Sequence, residues 1–191
     1  NSCAPSHKRY LFNCHQHNTT SNQRSFAVIS WPVTAERATR ITLPPPHASH
    51  AHLWITKFLI REAVEIRKRA YVPYSNFAVG SAILTEEDGR VYAGCNIENA
   101  ALAPSICAER AAVPKAVCDG YVKFKTVAVV AHQETSFTAP CGVCRQTLSE
   151  FRGSDGDIEI YLCRPTMDKV LCTKLSQILP LSFVSYTKDS V

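Results

Sequence analysis

Strands that alternate with helices after an opening hairpin predict a mixed α/β sheet covered by helices. Three observations carry that expectation. Ile55, Leu59, Ala63, Ile66 and Ala70 recur at spacings of three and four, which marks one face of an amphipathic helix beginning near His52. Glu87-Asp88-Gly89 is a hairpin turn signal between two apolar runs. The valine-rich run from Lys125 to Ala131 has the character of a buried strand. In chain order, the first helix stops before Pro73, because a proline disfavours helical backbone in the residue before it. Phe77 to Leu84 reads as a strand and Arg90 to Ile97 as its return across the turn. Ile106 to Asp119 reads as a helix with Gly120 as its stop. The strand Lys125 to Ala131 follows, then a helix from Gly142 to Phe151 closed by Gly153. Ile158 to Cys163 is a further strand, and Leu175 to Leu179 a short helix ended by Pro180. No internal repeat is visible.

The chain has 191 residues, 46% apolar and 19% charged, which suits one domain with a core and excludes a wholly disordered chain. No apolar run approaches the roughly 20 residues of a membrane-spanning helix. Nine cysteines, an odd number, in a chain of this length exclude a small disulfide scaffold. The net charge of +5 is unevenly placed. Residues 1–50 hold five basic residues and one acidic, Glu36, whereas the remainder is nearly neutral. The same stretch has no glycine, a Pro44-Pro45-Pro46 run, five of the seven histidines and no sustained apolar period. Residues 1–51 are therefore expected to be a poorly structured extension, 52–184 the folded domain, and 185–191 a tail. Transit peptides share the extension's poverty in acids, but an unstructured tail with no address is the plainer account. His47, His50 and His52 read as a histidine-containing linker before they read as a metal site. Phe26 to Trp31 is too short for a secretory apolar core, so a cytoplasmic, reducing environment is expected, with Cys3, Cys14, Cys95, Cys118, Cys163 and Cys172 as core or free thiols.

The chemistry lies in Cys107-Ala108-Glu109-Arg110 and, 34 residues after Cys107, in Pro140-Cys141-Gly142-Val143-Cys144-Arg145. Each cluster opens a predicted helix, where unpaired N–H groups and partial positive charge favour thiolate over thiol. The gap between Cys141 and Cys144 lets both sulfurs face one ion. Cys107 supplies a third ligand and leaves one tetrahedral position open, the catalytic rather than the structural zinc pattern. Glu109 stands two residues from a ligand, near the metal without binding it, where a carboxylate can move protons between water and substrate. Three thiolates on a divalent ion leave a net negative centre. The Arg110 guanidinium can withdraw that charge by hydrogen-bonding the sulfurs. A lone Cys-x-x-Cys also suits a redox pair, and three cysteines suit a plain core. The combined pattern is far more specific than either half.

At these residues the sequence resembles the zinc-dependent cytidine deaminases of the short-chain type. The resemblance runs from about Trp54 to Phe183. It includes Ala70-Tyr71-Val72-Pro73-Tyr74-Ser75-Asn76-Phe77-Ala78-Val79-Gly80, Gly94-Cys95-Asn96-Ile97-Glu98-Asn99-Ala100, both cysteine clusters and Leu179-Pro180-Leu181-Ser182-Phe183. It implies a three-layer α/β/α fold with a mixed five-stranded sheet. It implies one zinc per subunit on Cys107, Cys141 and Cys144, whose bound hydroxide attacks C4 of cytosine, with Glu109 as the proton shuttle. By the same resemblance Phe77 packs on the pyrimidine, the backbone of Ala108 helps read the base, and Asn96 and Glu98 hold the ribose hydroxyls. Tyr74 is either a loop-packing residue or part of the site. Phe183 resembles a residue given to a neighbouring subunit, which implies a homotetramer with sites at its interfaces. The implied reaction converts cytidine and deoxycytidine to uridine and deoxyuridine in pyrimidine salvage. Asn96 and Glu98 are two apart, so an extended backbone points both to one side, and the carboxylate would repel a phosphate. A nucleoside is expected, not a nucleotide.

The sequence departs from the family pattern at three places. Leu102 stands where a tyrosine is common, Pro114 falls inside a predicted helix, and Val184-Ser185 replaces a Gly-Pro pair. Two other classes fit less well. A nucleic-acid-editing deaminase needs a basic groove with stacking aromatics and usually a histidine as first ligand, so no nucleic-acid partner is expected. A zinc-stabilised scaffold would keep the cysteines without turnover. No membrane partner is expected.

Overall fold

The computed structural model describes residues 27–30 and 49–185. Its elements in order are β1 (Ala27–Ser30), α1 (Ser49–Arg67), β2 (Val79–Thr85), β3 (Val91–Cys95), α2 (Ala108–Cys118), β4 (Phe124–Ala131), α3 (Gly142–Glu150), β5 (Glu159–Cys163), β6 (Lys169–Lys174) and α4 (Leu175–Ile178). The strands form one sheet in the order β1-β6-β5-β4-β2-β3. Only β4 and β5 pair in parallel, with the crossover through α3, and every other pair is antiparallel. The sheet is mixed, as expected; β2 to β6 match the five strands expected, and β1 is a sixth.

Three local differences from the sequence reading stand out. β1 lies within the stretch expected to be an unstructured extension, and it adds a sixth, edge strand by pairing Ala27 to Ser30 with Cys172 to Lys169. The first helix starts at Ser49, ahead of the expected start at His52. β6 was not legible, because Lys-Val-Leu-Cys-Thr-Lys shows too short an alternation to stand out from its loops. Its pairing with β5 supplies what its own pattern does not.

β4 shows why the molecule has three layers. Val127 and Val129 point to one face of the sheet, while Ala128 and Val130 point to the other, as strand geometry requires. The first face packs on Ala112, Val113 and Ala116 of α2, Leu148 of α3 and Leu175 of α4. The second packs on Leu59, Ile60 and Ala63 of α1. Two glycines set how closely the layers approach. A Cβ at Gly80 would stand 2.0 Å from the Ala63 carbonyl oxygen, so α1 rests directly on the β2 backbone. A Cβ at Gly94 would meet the Ala108 carbonyl oxygen and the Ala112 nitrogen at 2.5 Å each, so the first turns of α2 lie against β3. Gly89 and Gly120 both have positive φ, in keeping with the turn and the helix stop read from the sequence. α2 runs on through Pro114, which is exposed and sits past the helix's first turn.

Candidate functional site

Cys107 and Cys141 are the N-caps of α2 and α3, each with extended backbone. Cys144 lies one turn into α3 and is fully buried. Cys141 Sγ is 3.8 Å from Cys107 Sγ and 3.5 Å from Cys144 Sγ, and it accepts from the Cys144 N–H at 3.5 Å. All three sulfurs lie within 4.8 Å of one another. Among the described residues this is the one group of three such side chains able to share a metal ion. Sequence positions 34 residues apart meet here because α2 and α3 share one face of the sheet and begin at the same end of it.

The donor set fits zinc. Three soft sulfurs, each at or within one turn of a helix N-terminus, suit a tetrahedral thiophilic ion and leave one position for a non-protein ligand. The Arg110 guanidinium donates to Cys107 Sγ at 3.6 Å and to the Ser105 carbonyl at 3.5 Å, while its Nε is buried with no partner. The hydrogen bond from Cys144 and then Arg110 pull the Cys107 thiol down against burial, while the same contact and burial push the Cys144 thiol up, so that Cys107 is the sulfur that ionises first. Deprotonated sulfur is the form that binds a metal.

Glu109 is in the first turn of α2 and only 4% exposed. Burial is the main cause that raises its carboxyl above the ordinary value, with the negative charge of Cys107 adding to it. A carboxyl whose proton affinity is raised by burial is suited to take up and release a proton. Ala108, between Cys107 and Glu109, is fully buried.

The other residues read from the sequence lie in the connecting loops and the terminal segment. Asn96 accepts from the Val79 N–H at 2.8 Å and donates to the Phe77 carbonyl at 2.8 Å, fixing the entry to β2. Glu98 accepts from the backbone N–H groups of Tyr74 and Ser75 at 3.0 and 3.2 Å and from the Ser75 hydroxyl. Those bonds, the Ser75 hydroxyl first, hold the Glu98 carboxyl below its ordinary value. Both side chains therefore also shape the 74–79 loop. Phe77 and Tyr74 are exposed. Asn76, between them, has φ 55°, a left-handed turn that asparagine tolerates. Phe183 is exposed, and its backbone is held by Gln146 of α3. Leu102 is exposed with φ 55°, in a loop held by bonds between Asn99 and both Ala101 and Ser105.

Sequence reasoning missed Ser75 and Gln146. Ser75 stands in a quoted motif, but its partner Glu98 is 23 residues away. Gln146 reaches 37 residues to Phe183, and no local pattern signals such a bond. The candidate histidines divide. His52 belongs to α1, with its Nε2 3.2 Å from Glu159 and 3.3 Å from the Tyr161 hydroxyl, while the side chains of His47 and His50 lie outside the described residues. Of the remaining cysteines, none of Cys95, Cys118, Cys163 and Cys172 is in a disulfide, and Cys3 and Cys14 lie outside the described residues.

An α/β/α sandwich with three cysteine sulfurs at two facing helix N-termini and a buried glutamate beside them defines a zinc-hydrolase type of site. The family model for the "Cytidine and deoxycytidylate deaminase zinc-binding region" matches residues 54–156, more than half of the chain. A cytidine deaminase of Sporosarcina psychrophila is 47% identical over 125 residues, 65% of this chain and 88% of that one. The crystal structure of cytidine deaminase from Burkholderia pseudomallei superposes with a TM-score of 0.60 at 40% identity, covering 66% of this chain and 98% of that one. The crystal structure of cytidine deaminase from Mycobacterium tuberculosis gives a TM-score of 0.56 at 37% identity, covering 68% and 98%. This chain belongs to the cytidine and deoxycytidylate deaminase family, whose named relatives here are hydrolases of a C–N bond.

Proposed function

We propose that this protein hydrolyses cytidine and deoxycytidine to uridine and deoxyuridine, releasing ammonia, in pyrimidine salvage. The observation that carries the reading is the three-sulfur cluster with a nearly buried Glu109 two residues from Cys107. Cys107, Cys141 and Cys144 hold one zinc ion per subunit. Zinc bound there supplies a Lewis acid that brings the pKa of a water to about 7. Glu109 takes a proton from the attacking water and passes it to the pyrimidine ring nitrogen; it then takes a second proton from the C4 hydroxyl so formed and passes it to the amine, which leaves as ammonia while C4 becomes a carbonyl. Its buried, raised carboxyl supports both halves of that shuttle. Arg110 draws negative charge from the sulfurs and keeps the centre electrophilic.

Phe77 packs on the pyrimidine and the Ala108 backbone reads the base, with Tyr74 at the rim. Asn96 and Glu98 hold the ribose. Their loop bonds leave capacity for this: the Asn96 amide retains a second N–H and a second lone pair, and Glu98 uses three of about four acceptor positions. Glu98 carries charge that opposes a 5′-phosphate, so a nucleoside is preferred. Phe183 completes the site of a neighbouring copy in a homotetramer. Residues 52–184 form the catalytic unit, flanked by 1–51 and 185–191, and it works in the reducing cytoplasm that its free thiols suit. No helix among the described residues is long and apolar enough to cross a membrane.

The test is a spectroscopic assay of cytidine, deoxycytidine and CMP, with zinc content measured in parallel. Both nucleosides should be turned over, and Glu109→Gln should lower turnover by about 10²- to 10⁴-fold with zinc retained. Full zinc occupancy without turnover of any cytosine nucleoside would leave a scaffold protein instead. Turnover of CMP but not cytidine would refute the role given to Glu98.

A further inference from the structure

α3 carries two of the three sulfurs on its first turn, and the same turn anchors the end of the described chain. Arg145 donates to the Pro140 carbonyl at 2.7 Å, next to Cys141, and to the Ile178 carbonyl at 2.8 Å, at the end of α4. Gln146 makes a two-bond clamp on the backbone of one residue. Its Oε1 accepts from the Phe183 N–H at 3.1 Å, and its Nε2 donates to the Phe183 carbonyl at 2.9 Å. This is strand-like pairing made by a side chain. The clamp leaves the Phe183 ring free, and the flanking Leu181 and Val184 are also exposed. Three apolar side chains are thus presented outward from a segment whose position is set by its backbone.

We infer that Gln146 is a positioning residue for the nucleoside site: its amide fixes the Phe183 backbone to the helix that carries Cys141 and Cys144. The inference rests on the proposed role of Phe183 in a neighbouring copy's site. Its physical content is an entropic one. A segment of exposed residues that must meet substrate costs affinity when its backbone is not already ordered. Two hydrogen bonds from a helix supply that order before substrate arrives. Arg152 donates to the Ser182 hydroxyl at 2.7 Å, so loss of the Gln146 clamp loosens Phe183 without releasing the segment.

The effect is expected on substrate affinity and not on the metal or the chemical step. Gln146→Leu should raise KM for cytidine about fivefold, the worth of one neutral hydrogen bond, with kcat and zinc content close to those of the unaltered protein. Phe183→Ala should raise KM at least as much. The double variant should match Phe183→Ala alone, because the clamp acts only through that residue. Gln146→Glu, which keeps the acceptor for the Phe183 N–H and loses the donor, should fall between, and it carries the test if the leucine variant does not fold. An unchanged KM in Gln146→Leu beside a raised KM in Phe183→Ala overturns the inference and leaves the reading of Phe183 intact. An unchanged KM in Phe183→Ala overturns both. Loss of zinc and kcat together in Gln146→Leu overturns it as well, since the residue would then support the cysteine turn itself.

Discussion

Cys144 is fully buried and Glu109 nearly so, with Cys107 half-buried and Cys141 exposed, whereas Phe77, Tyr74 and Phe183 on the proposed nucleoside side are 37%, 56% and 77% exposed. The metal pole is assembled from two helix starts packed on one sheet. The proposed nucleoside rim comes from loops and a terminal segment, held by side-chain bonds to backbone: Asn96 to Phe77 and Val79, Glu98 to Tyr74 and Ser75, Gln146 to Phe183. The contrast follows from what each must do. A soft ion requires fixed sulfurs, and two helix starts packed on the sheet fix them, with Cys144 buried, Cys107 half-buried and Cys141 at the surface. A substrate must enter and leave, which suits the residues proposed to meet it, since they sit on elements held by a few polar bonds.

The contrast can be broken first at the metal pole. Cys141→Ala removes a ligand, and both zinc content and turnover should collapse. The loss should exceed about a hundredfold, the upper range for residues that only support ligands. Metal analysis with the cytidine assay checks it. Next comes the packing beneath that pole. Gly94→Val would drive a branched side chain into the α2 backbone, and overpacking of this kind costs about 1–3 kcal/mol or more. Thermal unfolding should show the drop, and zinc content should fall with it because the Cys107 turn moves. Gly142→Ala, where a Cβ meets nothing within 4 Å, should leave stability unchanged or slightly raised. At the rim, Glu98→Gln should raise KM for cytidine about tenfold, in the range of a hydrogen bond to a charged group, and leave zinc in place. A fall in zinc would show that the two regions are not separate.

The smallest effects are those of pH, and the two carboxyls have opposite signs. Glu109 has a raised folded value, so its contribution to stability is full below the unfolded value near 4.5 and is lost as pH rises through the folded one. In chelator-treated protein, Glu109→Gln should therefore melt a few degrees higher than the unaltered chain near neutrality, a gap that closes as pH falls towards 4. Glu98 has a lowered folded value, so its contribution is present above about 4.5 and is lost as pH falls through the folded one. Hydrogen exchange of the Tyr74 and Ser75 amides should accelerate on acidification, once intrinsic rates are allowed for, and a Glu98→Gln variant should lack that step. The same amides unaltered at pH 3 would remove the loop-holding role of Glu98.

Each half of the metal pole was legible in the sequence because the geometry of each half is local. A Cys-x-x-Cys at a helix start puts two sulfurs on one side of a single turn, and Cys-x-Glu sets a carboxylate beside the third ligand. The 3.6-residue period of α1 and the valine run of β4 were legible for the same reason. β6 and β1 were not, since each is defined by its partner across the sheet and not by its own pattern. Gly80 and Gly94 carry no local signal either, because the backbones that crowd them belong to helices 13 or more residues away. The rim bonds likewise span 17 to 37 residues.

By itself, then, the chain's sequence determined the elements whose side chains repeat with the backbone's own period, and the ligand set whose members share a turn. The tertiary structure alone decided that Cys107 meets Cys141 and Cys144, since that depends on α2 and α3 beginning at one end of the same sheet face. It also decided that Asn96 and Glu98 hold the 74–79 loop and that Gln146 holds Phe183. Hydrogen bonds between distant segments depend on where packing brings the backbone, and packing is a property of the whole core.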